Sequence, residues 1–130
     1  MILFSFGGRN LLFPGDAQYG NWRNWIDDPD AKQILETVDF YKVSYHGSLN
    51  ATPKRAVEGM TQQRFAAMVS TQNAPWPSIP RVPLMQAILD RSRGLARSDT
   101  IEVPGAATAQ GVAPPEFERG KIWYDYTIRG

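Results

Sequence analysis

The chain contains no cysteine and only one histidine, His46, among 130 residues. The first absence excludes a disulfide framework and every thiolate metal site, so any metal would need nitrogen and oxygen donors. An excess of charge is missing too: fourteen Lys and Arg stand against thirteen Asp and Glu, leaving a net charge of +1. No field of one sign exists to draw in nucleic acid or an anionic membrane. Long hydrophobic runs are also lacking. Met1 to Phe6 is apolar but gives way at once to Gly7-Gly8, too short for a signal-peptide core and far too short to span a bilayer. The expectation is a cytoplasmic protein without membrane contact. What is present is 42% hydrophobic and 12% aromatic residues, enough apolar material for one globular core.

Two strand-like runs, Met1 to Phe6 and Leu11 to Phe13, flank Gly7-Gly8-Arg9-Asn10, which predicts a β-hairpin. Trp22, Trp25 and Ile26 then fall at helical spacing with Asn21 as a candidate N-cap, and that spacing favours a core role for both tryptophans. Asp28-Pro29 starts a second helix, with Ile34, Leu35 and Val38 as its buried side. Phe40 to Ser44 reads as a strand, and Thr52-Pro53 opens a third helix carrying Ala56, Val57 and Met60, with Gly59 as terminator. Phe65 to Val69 is apolar without alternation, as in a strand covered on both faces. Four prolines between Asn73 and Pro83 demand an extended loop. Leu84, Met85, Ile88 and Leu89 mark a helix ending near Gly94. Residues 95–120, rich in Ala, Gly, Pro and Thr, read as a mobile loop before a last strand over Lys121 to Ile128. The pattern is α/β.

Two short motifs carry chemistry. Phe13-Pro14-Gly15-Asp16-Ala17 and Tyr45-His46-Gly47-Ser48 each follow a strand, which in an α/β fold puts both on loops at the carboxyl edge, where such sheets gather ligands. A carboxylate is a hard ligand and neutral imidazole a common nitrogen ligand for zinc, iron or manganese. Asp16 could equally cap the helix that follows it, and a lone loop histidine is often only hydrogen-bonded. Trp76, among prolines, is the tryptophan best placed to face a substrate. Lys54, Arg55, Arg64, Arg91, Arg93 and Arg97 could bind phosphate but read as solvated surface, so nucleic-acid binding is a minority reading.

Read in order, Leu11-Leu12-Phe13-Pro14-Gly15-Asp16-Ala17, a tryptophan-bearing helix, and Phe40-Tyr41-Lys42-Val43-Ser44-Tyr45-His46-Gly47-Ser48-Leu49-Asn50-Ala51-Thr52-Pro53 resemble the metallo-β-lactamase fold family, and most of all its competence-protein-like branch. The resemblance spans about residues 1–90. It implies half of an αββα sandwich: a mixed sheet with helices on one face, residues 1–130 forming one partial domain. It implies two divalent metals, zinc foremost, with Asp16 as bridging ligand, His46 as terminal ligand, and Ser48 and Asn50 lining the site. It also implies catalysis by Asp16 and His46 on an ester, amide or phosphodiester. Two departures accompany it. Tyr45 stands where the branch has a first histidine, and nothing matches the family's His-x-His-x-Asp-His loop. The resemblance therefore implies the C-terminal half of a metallohydrolase, inactive and weak in zinc binding alone. Its partner would be an N-terminal half or a second copy of itself. The alternative is a non-catalytic binding or assembly module in which Asp16 and His46 are vestigial.

Overall fold

Gly7 and Gly8, both at positive φ (54° and 74°), make the two-residue turn that joins β1 (Ile2–Phe6) to β2 (Arg9–Phe13) as an antiparallel hairpin, the geometry that matches the natural strand twist. The computed structural model describes residues 1–72, 74–100, 116–121 and 123–129. After the hairpin come α1 (Tyr19–Ile26), α2 (Pro29–Thr37), β3 (Val38–Lys42), α3 (Lys54–Gly59), β4 (Ala66–Val69), α4 (Val82–Arg91) and β5 (Gly94–Arg97). A small antiparallel pair, β6 (Phe117–Arg119) and β7 (Tyr124–Tyr126), closes the described chain. The main sheet runs β1-β2-β3-β4-β5, with β2 to β5 mutually parallel. The fold is α/β with a mixed sheet.

One row of side chains shows how the sheet acquires its core. Leu12 pairs with Tyr41, Tyr41 with Ala67 and Ala67 with Leu95, so these four residues share a face. All four are buried, and they share one cluster with Trp22, Leu35, Val57, Met85 and Ile88 from the four helices. The helices thus lie on one face. Tyr41 keeps its hydroxyl satisfied there through a 2.6 Å bond with Thr52. Asp28 caps α2 by accepting from the Asp30 amide at 2.8 Å, with Pro29 in the first turn, as the Asp-Pro pair requires.

The alternate row faces the other way. Phe40, Ala66 and Ala96 line this second face, and the small alanines leave room for Phe117, Tyr124 and Tyr126 of the β6–β7 pair. Phe40 stacks on Tyr126 with ring centroids 5.6 Å apart, Phe13 lies 5.7 Å from Phe40, and Phe4 lies 5.5 Å from Phe13. Towards β1 the cover ends: Ile2, Phe4 and Phe6 are 56%, 53% and 83% exposed, an open apolar margin.

Several sequence expectations need correction. The first helix begins at Tyr19, and Asn21 does not cap it from outside but sits in its first turn, accepting from the Gln18 amide at 3.1 Å. Pro83 belongs to α4, not to the preceding loop, because a first-turn position needs no amide donor. The segment 95–120 is not one loop. Gly94–Arg97 is a strand paired along β4, too short and too rich in small residues to show periodicity but completed by the ladder bonds Arg93 N to Phe65 O (2.8 Å) and Ser98 N to Val69 O (3.2 Å). Phe117–Arg119 is a further strand, and the last strand is confined to Tyr124–Tyr126. The rest of the expected loop, residues 101–115, lies outside the described residues. Among the described residues no helix is long and apolar enough to cross a membrane.

Candidate functional site

Because β2, β3, β4 and β5 are parallel, the loops after them meet at one edge. The turn Ser44–Gly47 after β3 gathers three successive residues at positive φ. These are Tyr45, His46 and Gly47, at 41°, 57° and 74°, a conformation costing a non-glycine residue about 1–3 kcal/mol when surrounding structure enforces it. Enforcement is visible. The Ser44 hydroxyl reaches the carbonyls of Gly15 (3.1 Å) and Ala17 (2.8 Å), and the Tyr45 amide donates to Gly15 O at 3.2 Å. The loop bearing Asp16 and the loop bearing His46 are therefore bonded to each other on adjacent strands.

From the other side, the Arg81 amide donates to Gly47 O at 2.8 Å. A side chain at Gly47 would meet Pro80 Cβ at 2.9 Å and Met85 Cε at 3.0 Å. This approach seats the 74–81 loop, with Trp76, beside His46. The imidazole itself is oriented by the β4 end: His46 Nδ1 lies 2.8 Å from Ser70 O. A carbonyl only accepts, so Nδ1 carries the proton and Nε2 keeps the lone pair in the neutral ring. Donation from one ring nitrogen to a carbonyl is the arrangement that readies the other for a metal.

A pocket of about 660 Å³ opens at this edge, walled by Tyr45, His46, Trp76 and Ile79, with Ser70, Thr71, Gln72 and Ser98 completing it. Its far wall is fixed by Ser98, whose hydroxyl donates to Thr71 O (2.6 Å) and accepts from Thr71 N (2.7 Å), clamping the ends of β4 and β5. His46 and Trp76 thus share one space. Asp16 is exposed on the neighbouring loop and is not among the residues lining the pocket. Ser48 and Asn50 do not line it either: Ser48 is buried, its hydroxyl without a partner among the described residues, and Asn50 is exposed in the next turn. Ser44, Ser70 and Ser98 organise the site, yet all three act on or through backbone carbonyls, which leave no signature in a sequence.

A second cavity, of about 480 Å³, lies on the opposite sheet face between Phe13, Phe40, Met68, Trp123 and Tyr124, with Lys42 at its wall. Burial there pulls the Lys42 ammonium below its ordinary pKa.

Zinc suits a nitrogen and oxygen donor set such as His46 and Asp16, and the presented Nε2 fits a terminal ligand. Two donors are an incomplete sphere, and among the described residues no group of three or more His, Cys, Asp or Glu is gathered to hold a metal. No protein-family model, curated protein or solved structure matches the chain.

Proposed function

We propose that this chain is the C-terminal portion of a metal-dependent hydrolase of the metallo-β-lactamase fold, acting in the cytoplasm. In this reading Asp16 and His46 are two ligands of a dinuclear zinc centre, and the remaining ligands come from an N-terminal half seated on the open sheet face. The observation that carries it is the His46 turn, held at positive φ, oriented through Nδ1 by Ser70 and bonded to the Asp16 loop by Ser44. Bound zinc would supply a water acidified to a pKa of about 7. The chain's own contribution is to hold His46 in one tautomer, to keep the aspartate loop alongside it, and to wall the site with Tyr45 and Trp76. These two ligands alone are fewer than catalysis needs, since a catalytic zinc takes about three protein ligands and a water.

The test is NMR on the isolated chain with Mn²⁺ as a paramagnetic probe and zinc as competitor. Weak binding is expected, with line broadening confined to residues 15–17 and 45–47 and abolished in both Asp16→Asn and His46→Gln. Broadening that is absent or falls elsewhere defeats the metal reading. The second reading, a non-catalytic assembly module with a vestigial metal site, is favoured by the exposure of Ile2, Phe4 and Phe6, and it would stand if Mn²⁺ left both loops untouched while the chain associated through β1.

A further inference from the structure

The pocket beside His46 has a property that bears on what it can bind. Among the described residues, none that lines it is Lys, Arg, Asp or Glu. Apart from His46 its polar side chains are uncharged, and those of Ser70 and Gln72 are exposed and make no hydrogen bond among the described residues. Its apolar wall is Trp76, 63% exposed, next to half-buried Ile79. The tryptophan does not hang on a free loop, because Ile79 N donates to Trp76 O at 3.0 Å and Arg81 N to Gly47 O at 2.8 Å. A large indole held open to solvent on a fastened turn is a stacking surface without its partner.

Charge decides between ligand classes. A phosphate group entering this space would give up water without meeting a guanidinium or ammonium, the groups that ordinarily compensate it. An amide or ester carbonyl needs only a neutral donor, and Gln72 and Ser70 offer such donors. We infer that this pocket binds an uncharged ligand with a flat aromatic or unsaturated group laid on Trp76 and a carbonyl bonded by the Gln72 and Ser70 side chains. This rests on the hydrolase reading above: the metals would compensate charge only at their own ligands, so a substrate group lodged against Trp76 is uncharged and the bond cut is at the ester or amide carbonyl it carries. Hydrolysis then balances simply: a water oxygen bonds to the carbonyl carbon, the carbon–oxygen or carbon–nitrogen bond breaks, and the leaving alcohol or amine takes the remaining proton.

The test uses the whole chain, freed of metal with chelator, so that it does not depend on the metal site. Phenylacetamide and phenyl phosphate, which share a ring and differ in charge, are titrated while the indole N–H signals are followed by NMR. Phenylacetamide is expected to move the Trp76 signal, to bind at least about tenfold more tightly than phenyl phosphate, and to lose about tenfold in affinity in Trp76→Ala but not in Trp76→Phe or Trp123→Ala. Equal or tighter binding of phenyl phosphate overturns the inference, as does an amide response at Trp123 in place of Trp76, or a Trp76→Ala variant that binds as the parent does. Loss of the Mn²⁺ response with amide binding intact would sink the metal reading alone, and the converse would sink this one alone.

Discussion

Gly47 is the position where a single methyl group tests the construction of the site. Its φ of +74° and its approach to Pro80 and Met85 are separate demands, and the molecule supplies a control for the first. Gly15 has a similar φ, +62°, but nothing lies within 4 Å of where its Cβ would stand. Gly15→Ala therefore reports the backbone effect alone: about 1–2 kcal/mol for left-handed φ, reduced by about 0.4–1 kcal/mol because alanine also restricts the unfolded chain. Gly47→Ala adds the collision. Met85 Cε is the end of a flexible side chain and can swing aside, whereas Pro80 Cβ is part of a ring and can move only with the loop. Overpacking of this kind costs about 1–3 kcal/mol, so Gly47→Ala should destabilise by about 1–4.5 kcal/mol against about 0–1.5 kcal/mol for Gly15→Ala.

Urea unfolding of the two variants and the parent measures the difference, with the denaturant slope checked for constancy. In a thermal melt the gap should appear as roughly 4 °C per kcal/mol. A second readout is local. Because the 74–81 loop is seated on Gly47, the Trp76 signal should shift in Gly47→Ala and stay in place in Gly15→Ala. Equal destabilisation by the two substitutions would refute the claim that this close approach positions the Trp76 loop.

Three further outcomes follow from the contacts. Arg91 donates to the carbonyls of Val57 (3.0 Å), Glu58 (2.9 Å) and Met60 (2.8 Å) at the end of α3; Arg91→Ala should cost about 2–3 kcal/mol in urea unfolding, with Arg91→Lys recovering only part, and a neutral Arg91→Ala would refute the cap. Asp99 accepts two bonds from Arg97 (3.0 and 2.8 Å), which hold its carboxyl below its ordinary pKa despite partial burial; the pair's stabilisation should be full above the ordinary carboxylate range and fade as pH falls through the depressed value. Asp99→Asn should thus be less stable than the parent at neutral pH and converge with it in acid, and a gap independent of pH would contradict this. The open face at β1 should bind a hydrophobic dye or drive self-association, either of which Phe4→Ser and Phe6→Ser should lower; a parent chain that is monomeric and silent to the dye would show that the face is covered.

Legibility in the sequence followed the range of the interaction. The Gly7-Gly8 hairpin and the Asp28-Pro29 cap are local chemistry, and both were readable. Trp22 at helical spacing was readable as core, and it is fully buried. The strand Gly94–Arg97 was not, because four small or mixed residues become a strand only when β4 offers its ladder. At the site, the motifs ending β2 and β3 pointed to one sheet edge, and the parallel pairing with the Ser44 bonds brings their loops together. Ser48 and Asn50 followed the motif in sequence but left the pocket in space, since the chain turns away after Gly47. The missed members, Ser70, Thr71 and Ser98, come from β4 and β5 and enter only through tertiary pairing.

The basic residues supply the last step. Six of them, Lys54, Arg55, Arg64, Arg91, Arg93 and Arg97, were candidates for phosphate contacts, and every one is engaged within the chain: Lys54 with Glu58 at 3.5 Å, Arg55 with Asp27 at 2.9 Å, Arg64 with Asp39 at 3.3 Å, Arg93 with Glu116, Arg97 with Asp99, and Arg91 with its three carbonyls. The exposed pairs of Lys54 and Arg55 are worth little, about 0–1 kcal/mol each, and a phosphate could displace them. The Asp39 group is different. Its carboxylate is buried, also meets Arg9 at 3.3 Å and accepts from the Asn10 amide at 2.9 Å, and pulling Arg64 away would weaken compensation of a buried charge. Arg9 in turn donates to Arg129 O at 3.0 Å, so this network fastens the end of the described chain across the start of β2 and β3. It belongs to the amino ends of the parallel strands, whereas His46, Trp76 and their pocket belong to the carboxyl ends. The Asp39 network thus fastens the fold at the amino edge, and at the carboxyl edge the pocket beside His46 is lined, among the described residues, without Lys, Arg, Asp or Glu.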